Sequence, residues 1–346
     1  MRNKVTMQQI ADAAGVSKFA VSRALTGKSG VSETTREMII RTAGQLGYFK
    51  NAAGLSKSAN GESLKEQFTT DNRKGTGTIV VLFPNIRYQN MDSLYWGPVF
   101  EGISARLNEM GHDILTLTEP SSEKIFSLLN PDAIQGIITV GTVSVSLLLE
   151  FQRLQIPVVM VDHIEPVFHC DTIFSDNITL MREMMNGLIG RGYREFQFVG
   201  NIKEAPSFMD RWTAYRMALD EHGIECPQKE SLLGYQEDMD MIQSIHEIPS
   251  EELPEVFVCV NDITARFVIE ELHKSGRSVP DRCSVTGFDN VESDQPILAT
   301  VDVNKALLGK RAVDQLIWRL AHPESPYERL LIQADLIYRD HYAVTR

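Results

Sequence analysis

The sequence predicts two unlike parts: a small all-α helix-turn-helix head, then a larger α/β domain with parallel sheets. Three observations carry this. Two short capped helical segments near the N-terminus are separated by a glycine turn, charge divides sharply between residues 1–60 and the rest, and from Thr78 onward β-branched runs alternate with amphipathic stretches.

In the head, Thr6 is an N-cap candidate and Gln9 stands three residues on, the spacing of a capping box that satisfies otherwise unpaired N–H groups. Ile10, Ala11 and Ala14 give the first helix an apolar face. Gly15 permits a tight turn, and Ser17 caps a second helix that turns Val21, Ala24 and Leu25 inward. That helix presents Ser17, Lys18, Phe19, Ser22 and Arg23 at its N-terminal end or outer face, where a recognition helix meets base edges and phosphates. A third helix is expected from Ser32 to about Leu46, with Ile39, Ile40, Ala43 and Leu46 inward and Gly47 as its stop.

Charge supports the division. The 346-residue chain has a formal net charge of -12, yet residues 1–60 hold nine Lys and Arg against three Asp and Glu. The remainder holds 25 against 43. A basic segment on an acidic body suits a nucleic-acid-binding head on a domain that does not itself hold phosphate; a solvated basic helix pair is the alternative from charge alone.

In the body, runs at Ile79–Phe83, Ile114–Thr118, Gly136–Val140, Pro157–Asp162, Phe196–Gly200, Val256–Val260 and Ser284–Phe288 read as strands, with a helix near Val99–Met110. Their alternation with helical stretches predicts parallel sheets covered on both faces, which hold ligands at strand C-terminal ends. Polar groups there can bind hydroxyls, and a guanidinium can fork onto two adjacent oxygens; Arg211, Asn261 and Asp289 fill those roles.

The ordered set Val5-Thr6, Gly15-Val16-Ser17, Val21-Ser22-Arg23-Ala24-Leu25 and Leu46-Gly47-Tyr48 resembles the DNA-binding head of the LacI/GalR regulators. The body is similar to that family's effector domain through Asp176-Asn177, Arg211-Trp212-Thr213-Ala214-Tyr215, Val260-Asn261-Asp262 and Val285-Thr286-Gly287-Phe288-Asp289. The resemblance covers essentially the whole chain. It implies a head at 1–57, a linker at 58–77 and an effector-binding and dimerisation domain at 78–346. This body would be a two-lobed, periplasmic-binding-protein-like α/β domain with parallel sheets. Its N-lobe would span about 78–175 and 303–330, its C-lobe about 176–302 and 331–346, with three crossovers and the ligand in the cleft.

By the same resemblance, Thr6, Ser17, Lys18, Phe19, Ser22, Arg23 and Lys28 are the DNA-contact candidates of the head. Asn51 and Leu55 are those of the hinge, whose family form N-x-x-A-x-x-L wedges a leucine into the minor groove. Here Gly54 stands at the alanine position and Lys57 at the leucine, with Leu55 two residues early, and the linker is longer and more polar than the family's.

Effector candidates are Tyr95, Trp96, Asp162, Phe174, Asp176, Ser207, Arg211, Asn261 and Asp289. Core packing is the alternative for the aromatics, and an inter-lobe salt bridge for Arg211. Ala214 replaces the usual glycine after the arginine, and the loop Ile86–Leu94 is long. Asp92, Asp162, Asp176 and Asp289 would crowd acidic charge at one cleft and favour an amino sugar, although helix capping explains any single aspartate equally well.

The expected function is a homodimeric, sequence-specific regulator of transcription. It would be a repressor that binds double-stranded operator DNA and is controlled by a small sugar or amino sugar. An effector-dependent activator is the alternative, and a solute-binding receptor a more distant one. No signal-peptide core or apolar run of membrane-spanning length is present, so a cytoplasmic protein with no membrane partner is expected. Cys170, Cys226, Cys259 and Cys283 are widely spaced and read as reduced thiols, and His112, His163, His169 and His246 lack paired metal spacing. With no G-x-x-x-x-G-K-[ST], G-x-S-x-G or H-E-x-x-H motif, no enzyme, cofactor or metal is expected.

Overall fold

The structure, a computed structural model, describes residues 6–25, 30–45, 77–83, 93–117 and 133–343. Lys28, Asn51, the hinge positions Gly54, Leu55 and Lys57, the linker at 58–76 and Asp92 lie outside the described residues.

The head consists of α1 (Met7–Ala14), α2 (Lys18–Leu25) and α3 (Glu33–Gln45). Its starts follow the local chemistry. Thr6 Oγ1 accepts from the Gln9 N–H at 3.3 Å while Gln9 Oε1 accepts from the Thr6 N–H at 2.9 Å. Gly15, at φ 65°, closes α1 in the left-handed conformation that costs glycine little. Ser17 Oγ then accepts from the Ala20 N–H at 3.1 Å and starts α2. Ile10, Ala11, Val21, Ala24, Ile39 and Ala43 form the small core. The buried Arg36 was not anticipated: its Nη1 donates to the carbonyls of Ala24 at 3.2 Å and Arg23 at 3.5 Å. Arg36 thereby fixes the end of α2 against α3. Its position on the stripe with Ile39 and Ala43 was the available signal.

The body opens with β1 (Thr78–Leu82), α4 (Trp96–Met110), β2 (Asp113–Leu117), β3 (Ile134–Val140), α5 (Val145–Arg153), β4 (Val158–Val161) and β5 (Asp171–Ser175). The chain then crosses to α6 (Asn177–Gly190), β6 (Phe196–Val199), α7 (Pro206–Glu221), α8 (Asp238–His246), β7 (Val256–Cys259), α9 (Asp262–Lys274), β8 (Ser284–Thr286) and β9 (Ala299–Asp302). It returns for α10 (Lys305–Ala321) and β10 (Arg329–Ile332) and crosses last to β11 (Asp335–Tyr338).

Among the described residues the first sheet has six strands in the order β10-β5-β4-β3-β1-β2, all parallel. The second has five, β11-β9-β8-β7-β6. The expectation of parallel sheets needs one correction: β11 runs antiparallel to β9, because the chain reaches it directly from the other lobe. The last crossing also falls two residues beyond the expected 330/331 boundary, since Leu331 and Ile332 still pair with Phe174 and Ser175. Central strands such as Val158–Val161 and Val256–Cys259 are buried throughout, as two-sided helix cover requires, and their unbroken apolar runs made them legible.

In the N-lobe, α4 and α10 approach closely because both carry glycine at the contact. A Cβ on Gly102 would sit 2.1 Å from the Ala306 carbonyl oxygen, and one on Gly309 would sit 2.1 Å from that of Val99. Neither backbone can yield without parting the helices. Gly309→Ala is therefore expected to destabilise the protein by about 2–3 kcal/mol, the upper range for overpacking. Urea unfolding measures this, and a loss under about 0.5 kcal/mol would refute the close packing.

Candidate functional site

On the head, Ser17, Lys18 and Phe19 are exposed at the start of α2, and Ser22 and Arg23 half-exposed one turn on. Phe19 is 67% exposed, with the Arg23 guanidinium 5.1 Å over its ring. An exposed aromatic and a cation thus share one surface, one turn along the helix. Thr6 serves as the cap of α1.

In the body, four of the expected residues converge where strands of the two lobes end. Asp162 follows β4 and Asp289 follows β8; both leave their strands at positive φ, 54° and 96°. Aspartate tolerates this conformation better than most residues, yet it stores on the order of 1–3 kcal/mol, a strain that gathers at ligand sites. Tyr95, just before α4, donates its hydroxyl to Asp162 Oδ2 at 3.0 Å in a buried contact between residues 67 apart.

Arg211, on α7, is 2% exposed and engaged on every side. Its Nε donates to Asn177 Oδ1 at 2.9 Å, Nη1 to the Val260 carbonyl at 2.7 Å and Nη2 to Asp289 Oδ1 at 3.2 Å. The Phe288 ring lies 3.7 Å beneath the guanidinium. The inter-lobe salt bridge weighed as its alternative is instead a pair within the C-lobe.

Burial pushes the Asp162 carboxyl up to about 7, with the like charges of Asp289 and Asp210 adding and Arg211 and the Tyr95 hydrogen bond opposing. The same burial, next to Asp162 and Asp289, drives the Tyr95 hydroxyl well above its ordinary value and keeps it a donor. Asp162 Oδ1 is buried, and among the described residues no donor reaches it.

Other expected residues have different local duties. Asp176 caps α6, its Oδ1 accepting from the Thr179 N–H at 3.1 Å while Oδ2 accepts from Gln333 across the last crossing at 3.0 Å. Asn261 caps α9 through the Thr264 N–H at 2.8 Å, leaving its amide N–H groups to other partners. Trp96 meets the Tyr95 ring edge-on at 4.8 Å and packs on the core. Phe174 and Ser207 are buried, Ser207 one helical turn before Arg211.

Four participants escaped the sequence reading. Asn177, buried beside Arg211, and the half-buried Asp210 each adjoin a residue that was singled out. Asp262 accepts the Thr300 hydroxyl at 2.7 Å and the Val291 N–H at 2.8 Å, and so shapes the loop after Asp289. Burial nonetheless pushes its carboxyl up to about 6. Lys305, first residue of α10, reaches back to the carbonyls of Asp289 and Val303, tying the N-lobe helix to the C-lobe site. A lysine at a helix N-terminus opposes the helix dipole, and that local conflict was its signal. A groove of about 560 Å³ runs along the second and third crossings, lined by Leu94, Pro98, Asn304, Lys305 and Gln333 among others. Lys305 joins it to the Asp289 loop.

Among the described residues no cluster of His, Cys, Asp and Glu has metal-holding geometry, and no helix is long and apolar enough to cross a membrane.

The comparisons with known proteins agree with this division. Residues 6–51 match the family described as bacterial regulatory proteins, lacI family, and residues 185–340 match the periplasmic binding protein-like domain. The chain is 25% identical over 345 residues to the HTH-type transcriptional repressor CytR of Escherichia coli K12, covering 96% of this chain and 95% of that one. Among solved structures, the transcriptional regulator CelR in complex with cellobiose has a TM-score of 0.68 at 20% identity, covering 98% of this chain and all of that one. The Lac repressor dimer bound to operator and an anti-inducer has a TM-score of 0.62 at 19% identity, covering 99% and 100%. Head, body and their order along one polypeptide all correspond: the chain joins a lacI-family DNA-binding head to a periplasmic-binding-protein-like body, the architecture of the LacI-family transcriptional regulators.

Proposed function

We propose that this chain is a homodimeric repressor that reads a two-fold operator through α2 and is released or engaged by a small sugar-like effector bound between its lobes. The observation that carries the reading is the union, in one chain, of an exposed Phe19–Arg23 recognition surface with the inter-lobe group Tyr95, Asp162, Arg211 and Asp289. Ser17, Lys18, Phe19, Ser22 and Arg23 contact DNA in this reading. Two-fold pairing of heads matches a half-site array. Ligand contacts drawn from both lobes give the differential affinity for two lobe orientations that any effector needs. The reading assigns no catalysis and puts the protein in the cytoplasm with its DNA.

Gel shift of the full chain on DNA upstream of its neighbouring genes, with and without a panel of sugars and amino sugars, tests it. Specific binding that weakens steeply with salt is expected, and its absence would sink the regulator reading. Arg23→Ala is expected to weaken operator binding by about 5- to 150-fold, from the 1–3 kcal/mol of a base or phosphate contact, with ligand binding unchanged. Equal losses in both assays would contradict the division of labour. Activation is the second reading, since Gly54 and Lys57 alter the hinge pattern that couples body to DNA in the family. A promoter fusion with and without the gene gives the sign.

A further inference from the structure

At the inter-lobe site one buried carboxylate has no cation in hydrogen-bond contact among the described residues. Asp162, 9% exposed, has Oδ2 on the Tyr95 hydroxyl and its buried Oδ1 without a donor among the described residues. Asp289 answers Arg211, and the three hydrogen bonds of Arg211 to Asn177, Val260 and Asp289 all lie within the C-lobe. Asp210, beside Arg211 on α7, adds a third carboxylate that Asp162 feels. Arg211 is thus spent within the C-lobe and Lys305 on the carbonyls of Asp289 and Val303, so among the described residues the N-lobe's carboxylate has no cation in hydrogen-bond contact.

A ligand hydroxyl would give Oδ1 a hydrogen bond but no counter-charge for the carboxylate form. An ammonium gives both, with three N–H donors to share and a charge-assisted bond about twice as strong as a neutral one. We propose that the effector is a hydroxylated primary amine, its ammonium seated on Asp162 Oδ1 between the Tyr95–Asp162 pair of one lobe and the Arg211–Asp289 pair of the other. This rests on reading the inter-lobe group as the effector site. It departs from the acidic crowd expected from sequence, because Asp176 is engaged as a helix cap while Asp210 and the Tyr95 hydroxyl take part. Seated there, the ammonium would draw the lobes together through opposite charge, supplying the difference in affinity that a change of lobe orientation requires.

The test uses the full chain near pH 7 with D-glucosamine against D-glucose and D-galactosamine against D-galactose, followed by thermal shift and calorimetry. At least one amino sugar is expected to raise the Tm by several degrees at saturation and to bind at least about tenfold tighter than its neutral partner, the scale of one buried charge contact. Asp162→Asn, which keeps the shape and removes the charge, is expected to erase that preference, its own melting transition showing that it is folded. A neutral sugar binding as tightly as its amino counterpart, a preference that survives Asp162→Asn, or no response to either amino sugar would overturn the assignment. The operator gel shift separates the two readings. Amine binding that leaves operator affinity unchanged supports the amine site and removes the effector role; neutral sugars that bind and change operator affinity do the reverse.

Discussion

Replacing Arg319 by methionine is expected to destabilise the body by about 3–5 kcal/mol, the cost of stranding a buried partner charge. Arg319, on α10, meets Asp171 at the start of β5 through two parallel bonds, Nε to Oδ2 at 2.6 Å and Nη2 to Oδ1 at 2.9 Å. The side chains are 4% and 0% exposed. The guanidinium also donates to the carbonyls of Ser325 at 2.6 Å and Pro326 at 2.9 Å, and Asp171 Oδ1 accepts the Glu328 N–H at 2.7 Å. The pair thus organises the turn that brings β10 beside β5. Methionine keeps the apolar stem and removes every donor, leaving Asp171 with one N–H. Urea unfolding followed by the fluorescence of the adjacent Trp318 reports the loss. Adding Asp171→Val should recover part of it, since no unpaired charge then remains. A single variant within about 1 kcal/mol of the parent would mean that water screens the pair.

Asp162→Asn is expected to do the opposite and stabilise the ligand-free protein, in a way that depends on pH. The folded carboxyl titrates at about 7 against an ordinary 3.8, so between those values the folded state binds more protons than the unfolded. Stability contributed by this group is therefore full below about pH 4 and is lost as pH rises through 7, to a total of about 4 kcal/mol at most. Asparagine keeps an acceptor for the Tyr95 hydroxyl and carries no charge. The gain over the parent should be near zero at about pH 4 and reach about 2–4 kcal/mol by about pH 8. Melting curves across that range measure it, and a gain that stays flat with pH would show that Asp162 is not held against its charge. A site that destabilises its own fold in this way is poised to gain from a ligand.

How much of this was legible followed from the range of the forces. Thr6, Gly15 and Ser17 act within three residues of the N–H and C=O groups they serve, so the head's helices could be read directly. The inner strands announce themselves as apolar runs. Strands β5, β9, β10 and β11, such as Asp-Thr-Ile-Phe-Ser and Arg-Leu-Leu-Ile, do not, because short mixed segments become strands only when a neighbour supplies hydrogen bonds. Candidate site residues were named from strand ends and motif positions, but their partners were not. Asn177 and Asp210 matter because α6 holds Asn177 against Arg211 and α7 brings the Asp210 charge to bear on Asp162.

The sequence by itself determined a basic, capped helix-turn-helix head, an acidic α/β body and the strand ends at which polar groups gather. Only the tertiary structure decided which of those groups meet: Tyr95 with Asp162 across 67 residues and Arg211 with Asp289 across 78. The reason is physical. Caps and periodicity are local, whereas the burial that lifts Asp162 and the ion pair that occupies Arg211 depend on distances fixed by long-range packing.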